Sequence, residues 1–573
     1  MRKCRRSYLI QTTTAKQVST ALKPIDLNEE LKLQKLTVFP ALPATANDYL
    51  QSASDNGNVA SNGTATTLPR NRNIAPPYVE LDQCSFQHID QPSNWSTIKI
   101  GDSVELGVHL RNTPDNRKGD FLRIKQIIKD LSTDLITLRG WRLRRNLYFK
   151  GMLPQTLNEV CLTLDIDEDD ARAPFVQGME DVLLGDVVRK RRIILTNQPF
   201  PALSFRSHTP YDANGVNPSD AKWNVYCSSE LVCRWIHLRH FANSVDRHRN
   251  RLSQGVLRQI HEREADTGCE VTASALLLQW RGSLPSPRPT AYTFGDAFCG
   301  LGGTSEGAAQ TGLKVTWAFD HNREACSTYT LNRLGTCVFH AHAHDFLALG
   351  DDIFVDVCHF SPPCQPYSPA HTQPGCMDDG NQATLFSVAE LLRKARPRVT
   401  TLEETAGLLT HHPEWFRALV NMFTSTGYSV RWKKFDFSAY GLAQRRKRLV
   451  IFAACPGSIL PDFPSPTHGP SLLPFTTIQE AIRPMETAEN VTHHNPLSKR
   501  ICQKAPYDAQ TQLRGCITTN GGTGYHPEGS RQFTVRELAC LQSIPVNFKL
   551  VAGQSDTTIT RQIGNAVPPR DAK

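Results

Sequence analysis

Residues Ile353 to Phe360 form a largely apolar run that stops abruptly at Ser361-Pro362-Pro363-Cys364. A short run of this kind reads as a buried strand. Neither proline can donate to a sheet ladder, so the chain must leave the sheet here on a stiff, preset backbone. Cys364 is thereby delivered at the carboxyl end of a strand, where open α/β sheets gather their chemistry. A cysteine raised on a rigid turn suits a nucleophile, because a thiolate held at one attack angle is both reactive and selective. The competing reading of an isolated Pro-Pro-Cys is a buried structural cysteine. The pattern on either side separates the two.

That pattern repeats a strand and helix unit. Tyr292 to Phe298 reads as a strand that runs into Cys299-Gly300-Leu301-Gly302-Gly303 and then a helix closing near Gly312. Glycines at such a bend let backbone N–H groups approach a ligand at a helix amino terminus. The next strand, Val315 to Phe319, ends at Asp320. An acid at this distance from the glycine loop sits at a strand tip and can accept both ribose hydroxyls of a nucleoside cofactor. A third strand, with His340, His342 and His344 alternating along it, precedes Asp345-Phe346. Val399 to Leu402 forms a further strand ending in Glu403-Glu404-Thr405, and Arg431 to Phe437 and Leu449 to Ala453 add two more. Leu385, Val388, Leu391 and Leu392, then Trp415, Phe416, Leu419, Val420 and Phe423, give helical stripes between them. The predicted class is α/β, a doubly wound, mostly parallel sheet with ligand groups at the strand tips.

The remaining sequence bounds the setting. At 573 residues, two or three domains are expected, and 39% apolar with 21% charged residues is ordinary for soluble protein. No apolar run is long enough to span a bilayer, so no membrane partner is expected. The formal charge of +9 is compatible with a polyanionic partner, and the 16 cysteines lack the spacing of a secreted disulfide framework. Residues 1–77, rich in Ser, Thr, Asn and Ala, read as a disordered tail. Their basic start leaves a nuclear address, a mitochondrial transit peptide and an uninformative tail open.

Residues 78–282 read as a β-rich region. Val104, Leu106, Val108 and Leu110 alternate as in a strand with one buried face, and Phe121 to Ile128 and Leu135 to Arg144 look like two more. Arg189-Lys190-Arg191-Arg192 reads as a solvated face, with a nuclear address or a phosphate contact as the alternatives. Cys227, Cys233, His237 and His240 are not spaced like common zinc modules, and no metal site is expected. Leu231, Trp235, Ile236 and Phe241 fit an amphipathic helix instead. Three prolines within residues 283–290 mark a linker to the last region, 291–573.

Across residues 291–573 the motifs resemble those of the DNA (cytosine-5)-methyltransferase family, in the family's order. They are Asp296-Ala297-Phe298-Cys299-Gly300-Leu301-Gly302-Gly303, Pro363-Cys364-Gln365, Glu403-Glu404-Thr405, Gln444-Arg445-Arg446-Lys447-Arg448, Arg536-Glu537 with Leu541-Gln542, and Gln562-Ile563-Gly564-Asn565-Ala566-Val567. The resemblance implies the S-adenosylmethionine-dependent methyltransferase fold with a small, proline-rich target-recognition insert at 456–530. It implies Cys364 as nucleophile, assisted by Gln365. Glu403 would be the acid at ring nitrogen 3, Arg448 the ligand of the base carbonyl, and Arg446 a positive neighbour of the thiolate. S-adenosylmethionine would be held by Phe298, Gly300, Leu301, Gly302, Gly303, Asp320, Asp345, Phe346, Pro363, Leu385, Asn565 and Val567. The implied substrate is double-stranded DNA with a flipped cytosine, enclosed by a loop spanning Tyr367 to Asn381.

The middle region resembles a bromo-adjacent homology (BAH) module, which implies chromatin protein partners and a nuclear location. One departure stands out, because the family usually has Glu-Asn-Val where this chain has Glu403-Glu404-Thr405. Two adjacent carboxylates disfavour joint ionisation, so one apparent pKa should rise. That would either help Glu403 donate to the base or spoil the site. The variant resembles the fungal RIP-defective (Masc-type) group, linked to repeat silencing in sexual development. The alternatives kept open are an inactive, methyltransferase-like chromatin protein and a tRNA cytosine-5 methyltransferase.

Overall fold

The computed structural model describes residues 78–87, 95–107, 120–205, 218–282, 291–349, 353–363, 384–488, 491–499, 501–522 and 524–570. The expected tail 1–77, the linker 283–290, Cys364, Gln365 and the Tyr367 to Asn381 loop lie outside the described residues.

Twelve strands precede the last region: β1 (Tyr78–Glu80), β2 (Gln83–Gln87), β3 (Trp95–Lys99), β4 (Ser103–Leu106), β5 (Asp120–Asp130), β6 (Ile136–Arg145), β7 (Glu159–Asp167), β8 (Met179–Leu183), β9 (Val187–Arg191), β10 (Ile193–Leu195), β11 (Leu231–Phe241) and β12 (Leu252–Gln259), counted among the described residues. After them come β13 (Thr293–Ala297), α1 (Gly303–Gln310), β14 (Lys314–Asp320), α2 (Arg323–Asn332), β15 (Cys337–His340) and β16 (Val357–Phe360). Then follow α3 (Ser387–Ala395), β17 (Val399–Thr405), α4 (Pro413–Ser425), β18 (Ser429–Asp436) and β19 (Lys447–Ala454). The chain ends in α5 (Ile478–Glu486), α6 (Val535–Leu541) and α7 (Asp556–Asn565).

The helices form where the sequence places an apolar stripe. On α3, Val388, Leu391, Leu392 and Ala395 are buried, a spacing that faces one side of a helix. On α4, Pro413 occupies the first turn, where its missing N–H is harmless, and Phe416, Leu419, Val420 and Phe423 face the core. Both helices cover the sheet between them.

In the last region β13 pairs in parallel with β14 and β16, β14 with β15, and β16 with β17. The order runs β15-β14-β13-β16-β17-β19-β18, with β19 antiparallel to both its neighbours. The chain winds outward from β13 to β15, then returns to β16 on the other side. The carboxyl ends of β13 and β16 therefore flank the switch point, where the sheet opens a crevice for ligands.

This sheet does not end at β18. β12 adds to it antiparallel, with Gly255 opposite Trp432 and Leu257 opposite Val430, and β11, β7 and β6 continue beyond. One hydrophobic core serves both regions, joining Phe149, Cys161, Trp235 and Leu257 to Phe416, Val420, Phe423 and Trp432. A second core gathers Leu301 with Ile478, Ile482, Ile517, Phe533, Leu538 and Ile563, so the last helices pack against the glycine loop.

Several expectations are corrected. Leu231–Phe241 is an eleven-residue strand in place of the expected helix. It pairs on both edges, with β7 on one side and β10 and β12 on the other, and it is buried on both faces, so no two-residue period was visible. Val108 and Leu110 lie outside the described residues, while β4 is buried at all four positions, where one buried face was expected, and is paired on both edges by β5 and β9. Its buried Glu105 accounts for part of the basic cluster. Arg189 and Arg191 bind Glu105 at 2.9 and 2.7 Å, Lys190 binds Asp102 at 2.7 Å, and Arg192 binds Glu230 at 2.5 Å. The cluster is thus an ion-paired strand. Of the three histidines expected along one strand, only His340 is on β15, while His342 and His344 lie at the turn and short helix that follow it.

Among the described residues no helix is long and apolar enough to cross a membrane.

Candidate active site

The glycine loop leaves β13 in a conformation that most side chains resist. Phe298, Gly300 and Gly302 have φ of 61°, 53° and 99°. Gly302 caps α1, and a Cβ there would meet the Tyr329 ring at 2.8 Å. A Cβ on Gly303 would come within 2.1 Å of the Val567 carbonyl oxygen. That contact brings the last motif onto the loop, with Asn565 exposed nearby at the end of α7. Above Gly300 the space is open, since a Cβ there would meet nothing within 4 Å.

Asp320 lies at the tip of β14 as expected. Its Oδ2 accepts the Gly300 N–H at 2.9 Å and its Oδ1 the Asn322 N–H at 2.8 Å. A carboxylate has lone pairs left after two such bonds. Beneath the loop, Asp296 is buried and its Oδ2 accepts from Ser305 at 2.6 Å, while Oδ1 has no partner. Burial pushes the Asp296 carboxyl up to about 7. Phe298 meets Phe319 edge to face at 5.0 Å, and Phe319 stacks on Phe346 at 4.3 Å. The Phe346 and Leu385 side chains are wholly buried in the main core, Asp345 is exposed beside His344, and Pro363 is half-buried.

Strand β17 carries the acids. Thr405 lies opposite Arg448 on β19, and Glu403 is two residues back on the same face. The Arg448 Nε stands 2.8 Å from Glu403 Oε1, with both side chains largely buried. Glu404 alternates to the other face, opposite Leu449, and is fully buried. Its Oε2 accepts the Thr405 N–H at 3.0 Å, and its Oε1 has no partner. Burial first, then the neighbouring Glu403, hold the Glu404 carboxyl well above the usual carboxylate range. The group whose pKa rises is therefore Glu404.

Arg446 precedes β19 and is 1% exposed. Its guanidinium donates to the carbonyls of Ile517, Gly564 and Ala566 at 3.2–3.3 Å. Those bonds clamp the segment at Ile517 and the end of α7 to the sheet. Two further residues of that clamp were not singled out from sequence. Gln444 donates to Gln542 Oε1 at 2.8 Å and accepts the Ile517 N–H at 2.8 Å, and Gln542 donates to the Ala566 carbonyl at 2.6 Å. Their place in the quoted motifs was the signal. What they bind emerges only when four distant segments meet.

The strand order, the crevice at the switch point, the open glycine loop and the acid at the next strand tip define the methyltransferase fold with a nucleoside-cofactor site. The residues present fit S-adenosylmethionine, with space over Gly300 and an unspent acceptor on Asp320. Residues 292–515 and 476–573 match the family model described as C-5 cytosine-specific DNA methylase. Over residues 292–573 the chain is thus similar to that family. The Type II methyltransferase M.NgoFVII of Neisseria gonorrhoeae is 29% identical over 313 residues, covering 48% of this chain and 82% of that one. M.BsuFI of Bacillus subtilis is 28% identical over 309 residues, covering 48% and 69%. DNA (cytosine-5)-methyltransferase 1B of Oryza sativa subsp. japonica is 27% identical over 215 residues, covering 30% and 14%.

Proposed function

We propose that this protein methylates carbon 5 of cytosine in double-stranded DNA. The observation that carries the reading is the Glu403–Arg448 pair, set on the strand next to the one that runs into Pro362-Pro363-Cys364. Carbon 5 of cytosine is too weak a nucleophile by itself. Addition of the Cys364 thiolate at carbon 6 makes the ring enamine-like and carbon 5 reactive. Charge then develops at ring nitrogen 3, where the Glu403 carboxyl, set by Arg448, lowers the barrier through a shared proton. Once carbon 5 has gained the methyl group, its remaining proton passes to solvent, the bond from Cys364 sulfur to carbon 6 breaks, and the ring is restored. S-adenosylmethionine, when bound, supplies an electrophilic methyl group. Phe298, Gly300, Asp320, Asp345 and Asn565 would hold it. A base in a duplex cannot reach such a crevice, so the target nucleotide flips out.

Glu404 favours the active enzyme over the inactive homologue. Burial favours its neutral form and it faces away from Glu403, so a second negative charge beside the reacting ring is disfavoured. The Glu403-Glu404-Thr405 variant, together with the BAH-like order of the middle strands, supports a nuclear protein of the fungal RIP-defective (Masc-type) group that acts on repeats in chromatin. Incubation with labelled S-adenosylmethionine and 5-fluorocytosine DNA, or tRNA, tests the reading. A covalent adduct with DNA that is lost in Cys364→Ser is expected. An adduct with tRNA alone would move the substrate to RNA, and none with either would leave a non-catalytic protein.

A further inference from the structure

His359 plays no part in the reaction set out above, yet it is built into the two strands that carry it. It lies on β16, is 4% exposed, and has both ring nitrogens engaged. Nδ1 is 2.7 Å from Thr401 Oγ1, and Nε2 is 2.5 Å from Ser361 Oγ. Thr401 stands on β17 two residues before Glu403, and Ser361 begins the segment Ser361-Pro362-Pro363-Cys364.

The register sets these groups side by side. His359 faces Thr401 and Phe360 faces Leu402, while the Ser361 N–H still bonds the Ala297 carbonyl on β13 at 3.2 Å. Alternation then puts His359, Ser361, Thr401 and Glu403 on one face, with Cys358, Phe360, Leu402 and Glu404 on the other. Burial pulls the imidazole down to about 3, so at neutral pH it offers one N–H and one lone pair. A ring so equipped joins two half-buried hydroxyls on neighbouring strands. An apolar side chain would fill the same space but would leave the two strands without this bridge.

We propose that His359 is a positioning residue, a clip between β16 and β17 that fixes where Ser361-Pro362-Pro363 leaves the sheet, and so where Cys364 stands relative to Glu403. The inference rests on the reading of Cys364 and Glu403 as the reacting pair. Misplacement of a nucleophile by about 1 Å costs on the order of 100-fold in rate, so a lost clip should be visible in kcat.

The test compares His359→Leu, His359→Gln, Ser361→Ala and the His359→Leu/Ser361→Ala double variant in the full chain. Expected for His359→Leu is a kcat lowered roughly 10- to 100-fold, with KM for DNA and for S-adenosylmethionine within about twofold of wild type. His359→Gln, which can still bridge two hydroxyls, should recover most of the loss, and the double variant should be no worse than His359→Leu alone. A second readout needs no methyl transfer: the pH midpoint for alkylation of the Cys364 peptide by iodoacetamide, followed by mass spectrometry, should shift in His359→Leu and return in His359→Gln. If His359→Leu fails to fold, Ser361→Ala and His359→Gln carry the same comparison. An unchanged kcat and unchanged alkylation, or a loss that glutamine does not restore, would overturn the clip. Failure of the wild type to form an adduct with 5-fluorocytosine DNA would sink the proposed function while the alkylation arm still decides His359.

Discussion

Arg448 Nε lies 2.8 Å from Glu403 Oε1 across adjacent antiparallel strands, and both side chains are shielded from solvent. The guanidinium therefore has two tasks, to hold the carboxyl in place and to offset its charge. Breaking a buried pair from one side leaves the other charge uncompensated. Arg448→Ala is expected to lower single-turnover methylation by roughly 100- to 1000-fold, the usual scale for removing one preorganised charge donor. Arg448→Lys should recover little of it, because an ammonium cannot reproduce the planar fork.

Glu404 predicts an alkaline weakness. Its folded pKa is raised, so the folded protein holds a proton that the unfolded chain releases. Its contribution to stability is complete below the ordinary carboxyl range and is lost as pH rises above it. Asp296 acts in the same sense between about 4 and about 7. Denaturant melts from pH 5 to 8 should show stability falling by up to about 1.4 kcal/mol per pH unit for each such group. Glu404→Gln should remove its share of that slope with methylation within severalfold of wild type. If Glu404→Asn raised methylation by a large factor, the native pair would be an impairment.

Buried histidines predict an acid limit. His237 and His359 are both pulled down to about 3 by burial, against an ordinary value of 6.5. Unfolded chain gains protons below about 6.5 that the folded protein refuses, so their contribution is intact above that pH and is lost as pH falls toward 3. His359→Gln should flatten the acid limb of the same melts relative to wild type.

The two ends of the glycine loop should respond differently to one methyl group. Gly300→Ala places a Cβ in open space at φ 53°, which costs about 1–2 kcal/mol in backbone strain. It should leave the fold intact and weaken S-adenosylmethionine binding by calorimetry at least about tenfold, by taking the space a cofactor needs. Gly303→Ala would set its Cβ 2.1 Å from the Val567 carbonyl oxygen and should lower the melting temperature as well.

Gly255 of β12 is where the middle region meets the catalytic sheet. A Cβ there would stand 2.2 Å from Trp432 Cζ2, whose indole also packs on Phe416 and His237. Gly255→Val should destabilise by roughly 1–3 kcal/mol through overpacking and reduce methylation without touching the crevice. For the same reason residues 291–573 alone should aggregate, since β18 would lose β12 from one edge and the shared core would be cut open.

The strand tips of the last region were legible from the chain alone because they depend on local rules. Prolines after Phe360, glycines after Phe298 and an acid at Asp320 each force a conformation or a charge on a strand tip, whatever surrounds them. The strands and the stripes on α3 and α4 followed from period, and their bounds moved by only a few residues. β11 was misread for a physical reason. A strand covered on both faces has no alternation, and its apolar spacing then imitates a helix. Arg446 was placed beside the nucleophile by resemblance. Its bonds to the Gly564 and Ala566 carbonyls depend on a chain return of more than a hundred residues, which no local pattern encodes.

By itself, then, the sequence determined which residues turn, cap and carry charge, because backbone sterics and side-chain chemistry act within a few positions. Only the tertiary structure decided that Glu404 faces away from Glu403, that His359 joins Thr401 to Ser361, and that β12 completes the sheet at β18. Each of those depends on strand register, which is fixed by packing between segments far apart in the chain.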